Sequence, residues 1–350
     1  MFRCSLSAWT EIRGSTVADS KLRVATRKSA LAMAQTTMVA EAIAAANSGL
    51  TYELVSMTTE GDRRLDKSLA SFGGKGVFIK ELEVALLEGR ADIAVHSSKD
   101  MPAEVLPEFK LAAVLDREDP RDAFIARGGV DGCRFMELPA GAKVGTGSIR
   151  RVVQLKALRP DLEYVPIRGN IQTRLSKLAE LDGVVLAAAG LKRMGLADQV
   201  TEYFSTEQVL PASGQGILAI ETLNKLGSAS SHVCANEAKL SIETLLAKVN
   251  DSATFCIAVA EMAFLKALNA GCQFPVASFA EFLEEPMSGS SESISNANRV
   301  MKIRGIYWDE NSKRLIRAEE QHSVCLDSSD SIGQSRSAGV ALAQKIKDQL

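Results

Sequence analysis

The sequence predicts an α/β protein with two α/β domains, followed by a smaller α+β domain. Strand-like and helix-like segments alternate from residue 21 and again from about residue 120. The chain has 350 residues, which is enough for two to three domains. Its hydrophobic content of 46% can fill a core for each of them and excludes wholesale disorder.

The first alternating block is defined by apolar spacing and by glycines. An alanine-rich helix stops before Gly49, as helices commonly do. Phe78, Leu82 and Leu86 recur every four residues, which indicates an amphipathic helix. Residues 59–76 are polar and glycine-rich, which predicts a long loop. The predicted elements are a strand over Leu22–Thr26, a helix over Ala30–Ala46, a strand over Tyr52–Thr58, a helix over Val77–Glu88 and a strand over Asp92–His96.

The second block and the C-terminal region follow the same logic. Repeated strand–helix units imply parallel sheets with helices on both faces. Residues 225–237 are predicted to be a polar linker, and the Ser- and Asn-rich residues 287–298 a disordered loop. Predicted strands are Lys143–Thr146, Tyr164–Ile167, Val184–Ala188, Pro211–Glu221 (returning to the first sheet) and Val300–Trp308, and predicted helices are Ala253–Leu268 and Ala338–Lys347.

Composition excludes several classes of protein. Lys and Arg total 41 against 43 Asp and Glu, so a strongly basic nucleic-acid binder is not expected. No apolar run reaches about 18 residues, so no membrane contact is expected. Six scattered cysteines and three histidines predict neither a disulfide scaffold nor a metal site. Residues 1–20 lack an apolar signal core and are predicted to be a disordered extension of a cytoplasmic protein, with a mitochondrion or plastid as alternatives.

Five arginines follow predicted strands, at or near the start of a helix. Ligands of open α/β sheets bind outside the carboxyl ends of the strands, and helix N-termini attract anions. The planar guanidinium grips carboxylates with two hydrogen bonds. Any one such arginine is more often a surface residue, but the repetition predicts a ligand with several carboxylates or phosphates. The five are Arg27, Arg150, Arg151, Arg168 and Arg193.

Two further positions carry possible chemistry. Lys99 and Asp100 follow the strand over Asp92–His96, and a carboxylate beside cations can move a proton or stabilise a developing positive charge. Taken alone, an aspartate after a strand is more often a turn or capping residue. Cys272 lies in a glycine-containing turn, where it is either a small buried hydrophobe or an exposed thiolate that carries a covalent group.

Eight segments, in this order, resemble the porphobilinogen deaminase family over about residues 21–282. No single short motif carries the resemblance, and the last 60 or so residues match only loosely. The segments are RVATRKSALA (23–32), GGKGVFIKELEVALLEGRADIAVHSSKDMP (73–102), REDPRDAF (117–124), VGTGSIRR (144–151), RGNIQTRLSKL (168–178), LAAAGLKRMGL (186–196), SGQGILAIE (213–221) and AGCQFP (270–275).

The resemblance implies two periplasmic-binding-protein-like domains with a cleft between them, and a third domain. We assign residues 21–116 with 215–238 to the first domain, 117–214 to the second and 239–350 to the third. The family carries a dipyrromethane cofactor on a thioether, here at Cys272. It condenses four molecules of porphobilinogen head to tail, with loss of ammonia each time. Hydrolysis then releases the linear tetrapyrrole hydroxymethylbilane, a precursor in porphyrin and haem biosynthesis, and the family suggests a monomer.

The resemblance also implies roles for individual residues. Asp100 matches the catalytic aspartate, which assists loss of ammonia and stabilises the cationic intermediate, with Lys99 and Arg27 beside it. Each pyrrole carries an acetate and a propionate, so the growing chain is a polyanion. Residues 59–76 match the family's mobile active-site loop. The implied carboxylate-binding residues are Arg27, Ser29, Lys99, Thr146, Ser148, Arg150, Arg151, Arg168, Arg174 and Arg193.

The sequence departs from the family at Gly147, where serine is common, at Met262, where arginine is usual, and at Ala270, where glycine is usual. None removes a catalytic position. Three rival functions stay open: a solute-binding protein, a regulator with an effector-binding domain, and an inactive homologue. A solute-binding protein predicts a signal peptide, and a regulator predicts a DNA-binding helix-turn-helix. Neither feature is recognised in the sequence.

Overall fold

The computed structural model describes residues 20–59, 79–224, 232–233, 240–270, 274–283 and 298–350. Several predictions lie wholly or largely outside this part of the chain, so the structure does not test them. They are the N-terminal extension, the loop over 59–76, the linker over 225–237, the insert over 287–298 and Cys272.

Strands and helices alternate through the described residues. The strands are β1 (Ser20–Arg27), β2 (Leu50–Met57), β3 (Ile93–Ser97), β4 (Phe109–Val114), β5 (Asp122–Ala126), β6 (Lys143–Gly145), β7 (Glu163–Val165), β8 (Gly183–Ala187), β9 (Glu202–Tyr203), β10 (Leu218–Leu223), β11 (His232–Val233), β12 (Leu240–Ser241), β13 (Val276–Phe282), β14 (Asn298–Asp309) and β15 (Arg314–Cys325). The α-helices are α1 (Ala30–Ala46), α2 (Lys80–Leu87), α3 (Ile149–Leu158), α4 (Ile171–Ser176), α5 (Ala188–Arg193), α6 (Ile242–Ala247), α7 (Ser252–Ala267) and α8 (Ser331–Lys347).

Two five-stranded sheets form the larger part of the structure. The first sheet has the order β2-β1-β3-β10-β4, and the second has the order β7-β6-β8-β5-β9. Each has an apolar core of its own; Val24 and Ile93 are buried in the first, and Val144 and Val185 in the second. Residues 115–121 and 204–217, the two crossover segments, connect one sheet to the other.

Both sheets are mixed, whereas the repeated strand–helix units predicted parallel sheets. In the first sheet, β10 is antiparallel to both β3 and β4. In the second sheet, β5 is antiparallel to both β8 and β9. The expectation was wrong because β5 and β10 are each entered from a crossover segment rather than from a helix that returns along the same sheet. The return of the 211–221 segment to the first sheet was predicted and is observed.

The third sheet, β13-β14-β15, is a meander with α7 and α8 packed on one face. Phe264, Ile303 and Leu342 are buried in this core. Helix α8 begins at Ser331, seven residues before its predicted start, because its first two turns are polar and carry no apolar repeat. Two α/β units and a small C-terminal α+β unit confirm the predicted fold class. In the described part of the chain, no helix is both long and apolar enough to cross a membrane.

Glu261 on α7 joins the C-terminal unit to both crossover segments. Its side chain is completely buried. Oε1 accepts hydrogen bonds from Arg117 Nη1 at 2.7 Å and from the Ala280 amide at 2.8 Å, and Oε2 accepts one from the Gly214 amide. Arg117 lies in the first crossover segment and also donates to the Gln215 carbonyl in the second, at 2.9 Å. One carboxylate therefore holds both connections between the sheets.

Replacing Glu261 by glutamine should destabilise the protein. The Glu261→Gln variant leaves the buried Arg117 guanidinium without its counter charge, which typically costs about 3–5 kcal/mol of unfolding free energy. Chemical denaturation followed by circular dichroism measures the change. Glu310→Gln is the matched control, because Glu310 and its partner Lys313 are 69% and 68% exposed. Equal midpoints for the two variants would contradict the role assigned to Glu261.

Candidate functional site

The carboxyl edge of the first sheet presents Arg27, Ser29, Lys99 and Asp100. Arg27 is the last residue of β1, and Ser29 caps α1 by accepting a hydrogen bond from the Ala32 amide at 3.3 Å. Lys99 and Asp100 lie in a short 3₁₀ turn directly after β3. Asp100 is exposed, whereas Lys99 is half-buried. The sequence placed these four residues at strand ends, and the structure brings them to one edge.

The second sheet brings Thr146, Ser148, Arg150 and Arg151 to its corresponding edge. Ser148 caps α3, accepting from the Arg151 amide at 3.5 Å, so both arginines lie in the first turn of that helix. Thr146 is buried between β6 and the helix. Arg150 and Arg151 are each only 5% exposed. They are therefore held inside the protein rather than spread over its surface.

A buried carboxylate, Asp122, compensates the two arginines. Its Oδ1 accepts a hydrogen bond from Arg151 Nη2 at 2.7 Å, and its Oδ2 lies 2.8 Å from Arg150 Nη2. These two cations hold the pKa of Asp122 well below its usual range, against the effect of burial. Arg150 also donates to the Leu210 carbonyl at 2.6 Å, and Arg151 to the Val185 carbonyl at 3.0 Å.

Gln215 connects this cluster to the first sheet. Its Nε2 donates to Asp122 Oδ1 at 2.9 Å and to the Pro120 carbonyl at 2.7 Å, and its Oε1 lies 3.5 Å from Lys99 Nζ. The neighbouring Gly214 has φ +74°, and a Cβ there would lie 2.6 Å from Ser98 Oγ. The second crossover segment therefore passes directly against the turn that carries Lys99. We call the region between the two sheet edges the intersheet site.

The two sheet edges meet at Lys99, whose Nζ lies 3.5 Å from Oε1 of Gln215, the residue that binds Asp122. The pKa of Lys99 is lowered to about 8, and burial is the largest cause. The charges of Arg150 and Arg151 add to the lowering, while those of Asp100 and Asp122 oppose it. Part of the side chain remains accessible, yet its ammonium is surrounded by groups from both sheets. A lysine in this environment is a cation at neutral pH that deprotonates more easily than an exposed one.

Arg174 and Arg168 extend the cationic surface. Arg168 is exposed after β7, and Arg174 on α4 donates from Nε to the Gly169 carbonyl at 2.9 Å. Burial lowers the pKa of Arg174, the charges of Arg151 and Arg168 add to this, and the charge of Asp100 opposes it. The exposed Asp100 of the first sheet thus interacts electrostatically with an arginine of the second.

Arg193 occupies a different position from the one predicted. It is the last residue of α5, not a residue near its start, so it does not share in the positive end of a helix dipole. Its Nη2 donates to the Gly216 carbonyl in the second crossover segment at 2.6 Å. Burial lowers its pKa, and the charge of Glu118 opposes this.

The functional residues that sequence reasoning missed are Asp122 and Gln215. Asp122 is the first residue of β5 and Gln215 lies three residues before β10, whereas the predicted site residues follow strand ends. Asp122 pairs with Ala187 at the end of β8, and Leu218, the first residue of β10, pairs with Ser97 at the end of β3. Because β5 is antiparallel to β8 and β10 is antiparallel to β3, the starts of β5 and β10 lie at the sheet edges where β8 and β3 end. The signal that could have found them lies in the segments REDPRDAF and SGQGILAIE.

Comparisons with known proteins give a consistent match. Residues 22–231 match the family model "Porphobilinogen deaminase, dipyromethane cofactor binding domain", and residues 255–348 match "Porphobilinogen deaminase, C-terminal domain". The porphobilinogen deaminase of Syntrophus aciditrophicus (strain SB) is 43% identical over 330 residues, covering 93% of this chain and 95% of that protein. That of Clostridium kluyveri (strain NBRC 12016) is 44% identical over 291 residues, covering 82% and 94%.

Among solved structures, the methionine-binding protein MetQ is 12% identical, with a TM-score of 0.38. The alignment covers 66% of this chain and 91% of that one. A likeness this distant does not bear on function.

We expect the Lys99 amine to titrate near pH 8, well below the ordinary value of 10.5. The shift follows from burial beside two arginines. NMR spectra of ¹³C-dimethylated lysines, recorded from pH 6 to pH 11, measure it, and the Lys99→Arg variant assigns the signal. Exposed lysines in the same sample provide the reference. A Lys99 signal that titrates together with them would contradict this account of the site.

Proposed function

The chain belongs to the porphobilinogen deaminase family, and from this premise we propose that the intersheet site is its active site, with Asp100 as the catalytic carboxylate. The protein is a transferase that acts on porphobilinogen and yields hydroxymethylbilane. One observation supports the assignment of the site: Lys99, next to Asp100 on the first sheet, is joined through Gln215 and Asp122 to the arginine pair of the second sheet. A substrate whose every ring carries two carboxylates suits this arrangement.

The residues present fit the dipyrromethane cofactor of the family. The cofactor carries an acetate and a propionate on each ring, and within the described residues the buried Nε atoms of Arg151 and Arg193 have no hydrogen-bond partner. The thioether is proposed at Cys272, which lies outside the described residues. The carboxylates of the cofactor would be held by Lys99, Arg151, Arg174 and Arg193. When bound, the cofactor supplies the pyrrole carbon to which the first substrate unit is joined.

We assign carboxylate binding to the remaining polar groups of the two edges. Arg27 and Ser29 would bind carboxylates at the edge of the first sheet, and Thr146, Ser148 and Arg168 at the edge of the second. Each charge-assisted hydrogen bond contributes roughly 1.5–3 kcal/mol. Arg150 is directed inward to Asp122 and the Leu210 carbonyl, so its charge rather than a free donor is its main contribution. Hydroxyl groups orient the carboxylates that the guanidinium groups attract.

Asp100 is suited to the proton and charge transfers of the reaction. When ammonia leaves porphobilinogen, positive charge develops on the pyrrole, and a carboxylate at that position stabilises it. The same carboxylate can accept a hydrogen bond from the pyrrole N–H and hold the ring in place. Lys99 and Arg174 provide opposite charge close to Asp100. We further propose a cytoplasmic monomer, on the resemblance to the family alone.

Intact-protein mass spectrometry tests the cofactor assignment. The purified chain should carry a mass excess of two deaminated porphobilinogen units, and the Cys272→Ser variant should lack it. Cys133→Ser is the control, because Cys133 is an exposed thiol on a turn of the second sheet that should leave the excess unchanged. Retention of the excess in Cys272→Ser would show that the thioether lies elsewhere.

Substituting Asp100 by asparagine should reduce turnover of porphobilinogen by a factor on the order of 10²–10⁴, the usual contribution of an acid–base group. Because Asp100 is exposed, the melting temperature should not change. Colorimetric assay of porphobilinogen consumption and a thermal melt measure the two quantities. Asp131→Asn changes an exposed aspartate beyond the end of β5, at the opposite edge of the second sheet, and should leave both unchanged. Normal turnover by Asp100→Asn would remove Asp100 from the mechanism.

A further inference from the structure

Asp122 is completely buried and touches both arginines of α3, although it belongs to a different element. We propose that Asp122 is a positioning residue of the reaction: it fixes Arg150 and Arg151 as one rigid pair of cations and, through Gln215, aligns them with Lys99 of the opposite sheet. This inference rests on the proposed function of the intersheet site. It assigns to Asp122 no contact with substrate.

Asp122 determines the geometry of the arginine pair. Arg150 and Arg151 are consecutive residues, so their side chains leave the helix about 100° apart and do not converge by helical geometry alone. The Asp122 carboxylate draws them together, with Nη2 of each within 2.8 Å of a different oxygen. The Leu210 and Val185 carbonyls each hold one further nitrogen. Both guanidinium groups therefore have fixed positions before any substrate arrives.

Asp122 also affects the charge of the cluster. Two guanidinium groups contact its carboxylate and the Lys99 ammonium is joined to it through Gln215, so these four groups together carry a net positive charge. Without Asp122, mutual repulsion would favour separation of the two arginines and deprotonation of Lys99. Although Asp122 is itself negative, it thus keeps the cations together and charged, so that more positive charge is available to an anionic ligand.

Gln215 links the two sheets. Gln215 donates to the same Asp122 oxygen that accepts from Arg151, and its carbonyl oxygen lies 3.5 Å from Lys99 Nζ. Gln215 is 1% exposed, and its amide also donates to the Pro120 carbonyl. The side-chain amide of Gln215 is therefore fixed in orientation. Its nitrogen donates to Asp122 of the second sheet, and its oxygen faces Lys99 of the first. Small displacements of Asp122 should therefore also shift the position of Lys99.

Asp92 provides a matched control within the chain. It is also a buried aspartate bound to an arginine, accepting from Arg23 Nε at 3.1 Å and Nη2 at 2.6 Å. It precedes β3, at the sheet edge opposite Asp100. Asp92→Asn should therefore lower stability without changing the Michaelis constant. A difference between Asp122→Asn and Asp92→Asn isolates positioning from the simple loss of charge on a buried, ion-paired aspartate.

The test compares steady-state kinetics of full-length Asp122→Asn, Asp92→Asn and wild-type enzyme. In Asp122→Asn we expect kcat/KM to fall by a factor on the order of 10², as for other misplaced binding groups, chiefly through a raised KM. In an Arg151→Gln background, Asp122→Asn should cause a smaller further loss than in the wild type, because Arg151 is one of the two guanidinium groups through which Asp122 acts. Intact mass, independently of turnover, should show a smaller fraction of chains that carry the cofactor.

The pH profile gives a readout that a structural role would not move. The charges that face Lys99 are those of Asp100, Asp122, Arg150 and Arg151. Removing the Asp122 charge lowers the pKa of Lys99 further, so the alkaline limb of kcat/KM should shift to lower pH. Asp92→Asn should leave that limb in place.

Three results would overturn the proposal: a wild-type KM in Asp122→Asn, losses that multiply fully in the Arg151→Gln background, or an unmoved alkaline limb. If Asp122→Asn does not fold, Gln215→Leu decides the matter, because it breaks the link to Lys99 and leaves both ion pairs. A raised KM in Gln215→Leu supports positioning, and an unchanged KM refutes it. An inactive wild-type enzyme would instead remove the proposed function, and this inference with it.

Discussion

The intersheet site depends on the burial of two arginines beside a single carboxylate. A guanidinium group removed from water requires a counter charge or a full set of acceptors, and two adjacent groups also repel each other. Asp122 and two backbone carbonyls meet both requirements. The second sheet can therefore present a fixed cationic surface to an anionic ligand, where flexible surface arginines would lose conformational freedom on binding.

The same constraint extends to the connections between the sheets. Asp122 opens β5 directly after the first crossover segment, and Gln215 lies in the second. Arg117 and Glu261 bind these two segments to each other and to the C-terminal unit. The backbone that links the sheets and the side chains that form the site are thus parts of one hydrogen-bonded network. A change in the relative position of the sheets would have to alter contacts of Gln215.

Elements with a strong local pattern could be predicted from the sequence, and those defined by pairing could not. Helix α1 was predicted with its observed bounds, because its alanine content and the glycine at position 49 agree. Strands β5 and β13 were missed, because their register depends on distant partners. Arg27, Lys99, Asp100 and the α3 arginines were found at strand ends, whereas Asp122 opens an antiparallel strand and Gln215 lies shortly before one. The domain boundaries and the residue roles remain predictions.

Gly147 shows how a departure from the family pattern is accommodated. A side chain at this position would bring its Cβ within 2.5 Å of the Ile167 carbonyl oxygen, so only glycine fits the observed backbone. The close approach holds the start of α3 against the segment that leads to Arg168. Thr146 and Ser148 remain on either side, with the Ser148 amide donating to Thr146 Oγ1 at 3.4 Å. The chain therefore lacks the hydroxyl common at 147, and the contact with Ile167 brings two arginine-bearing segments together by their backbones.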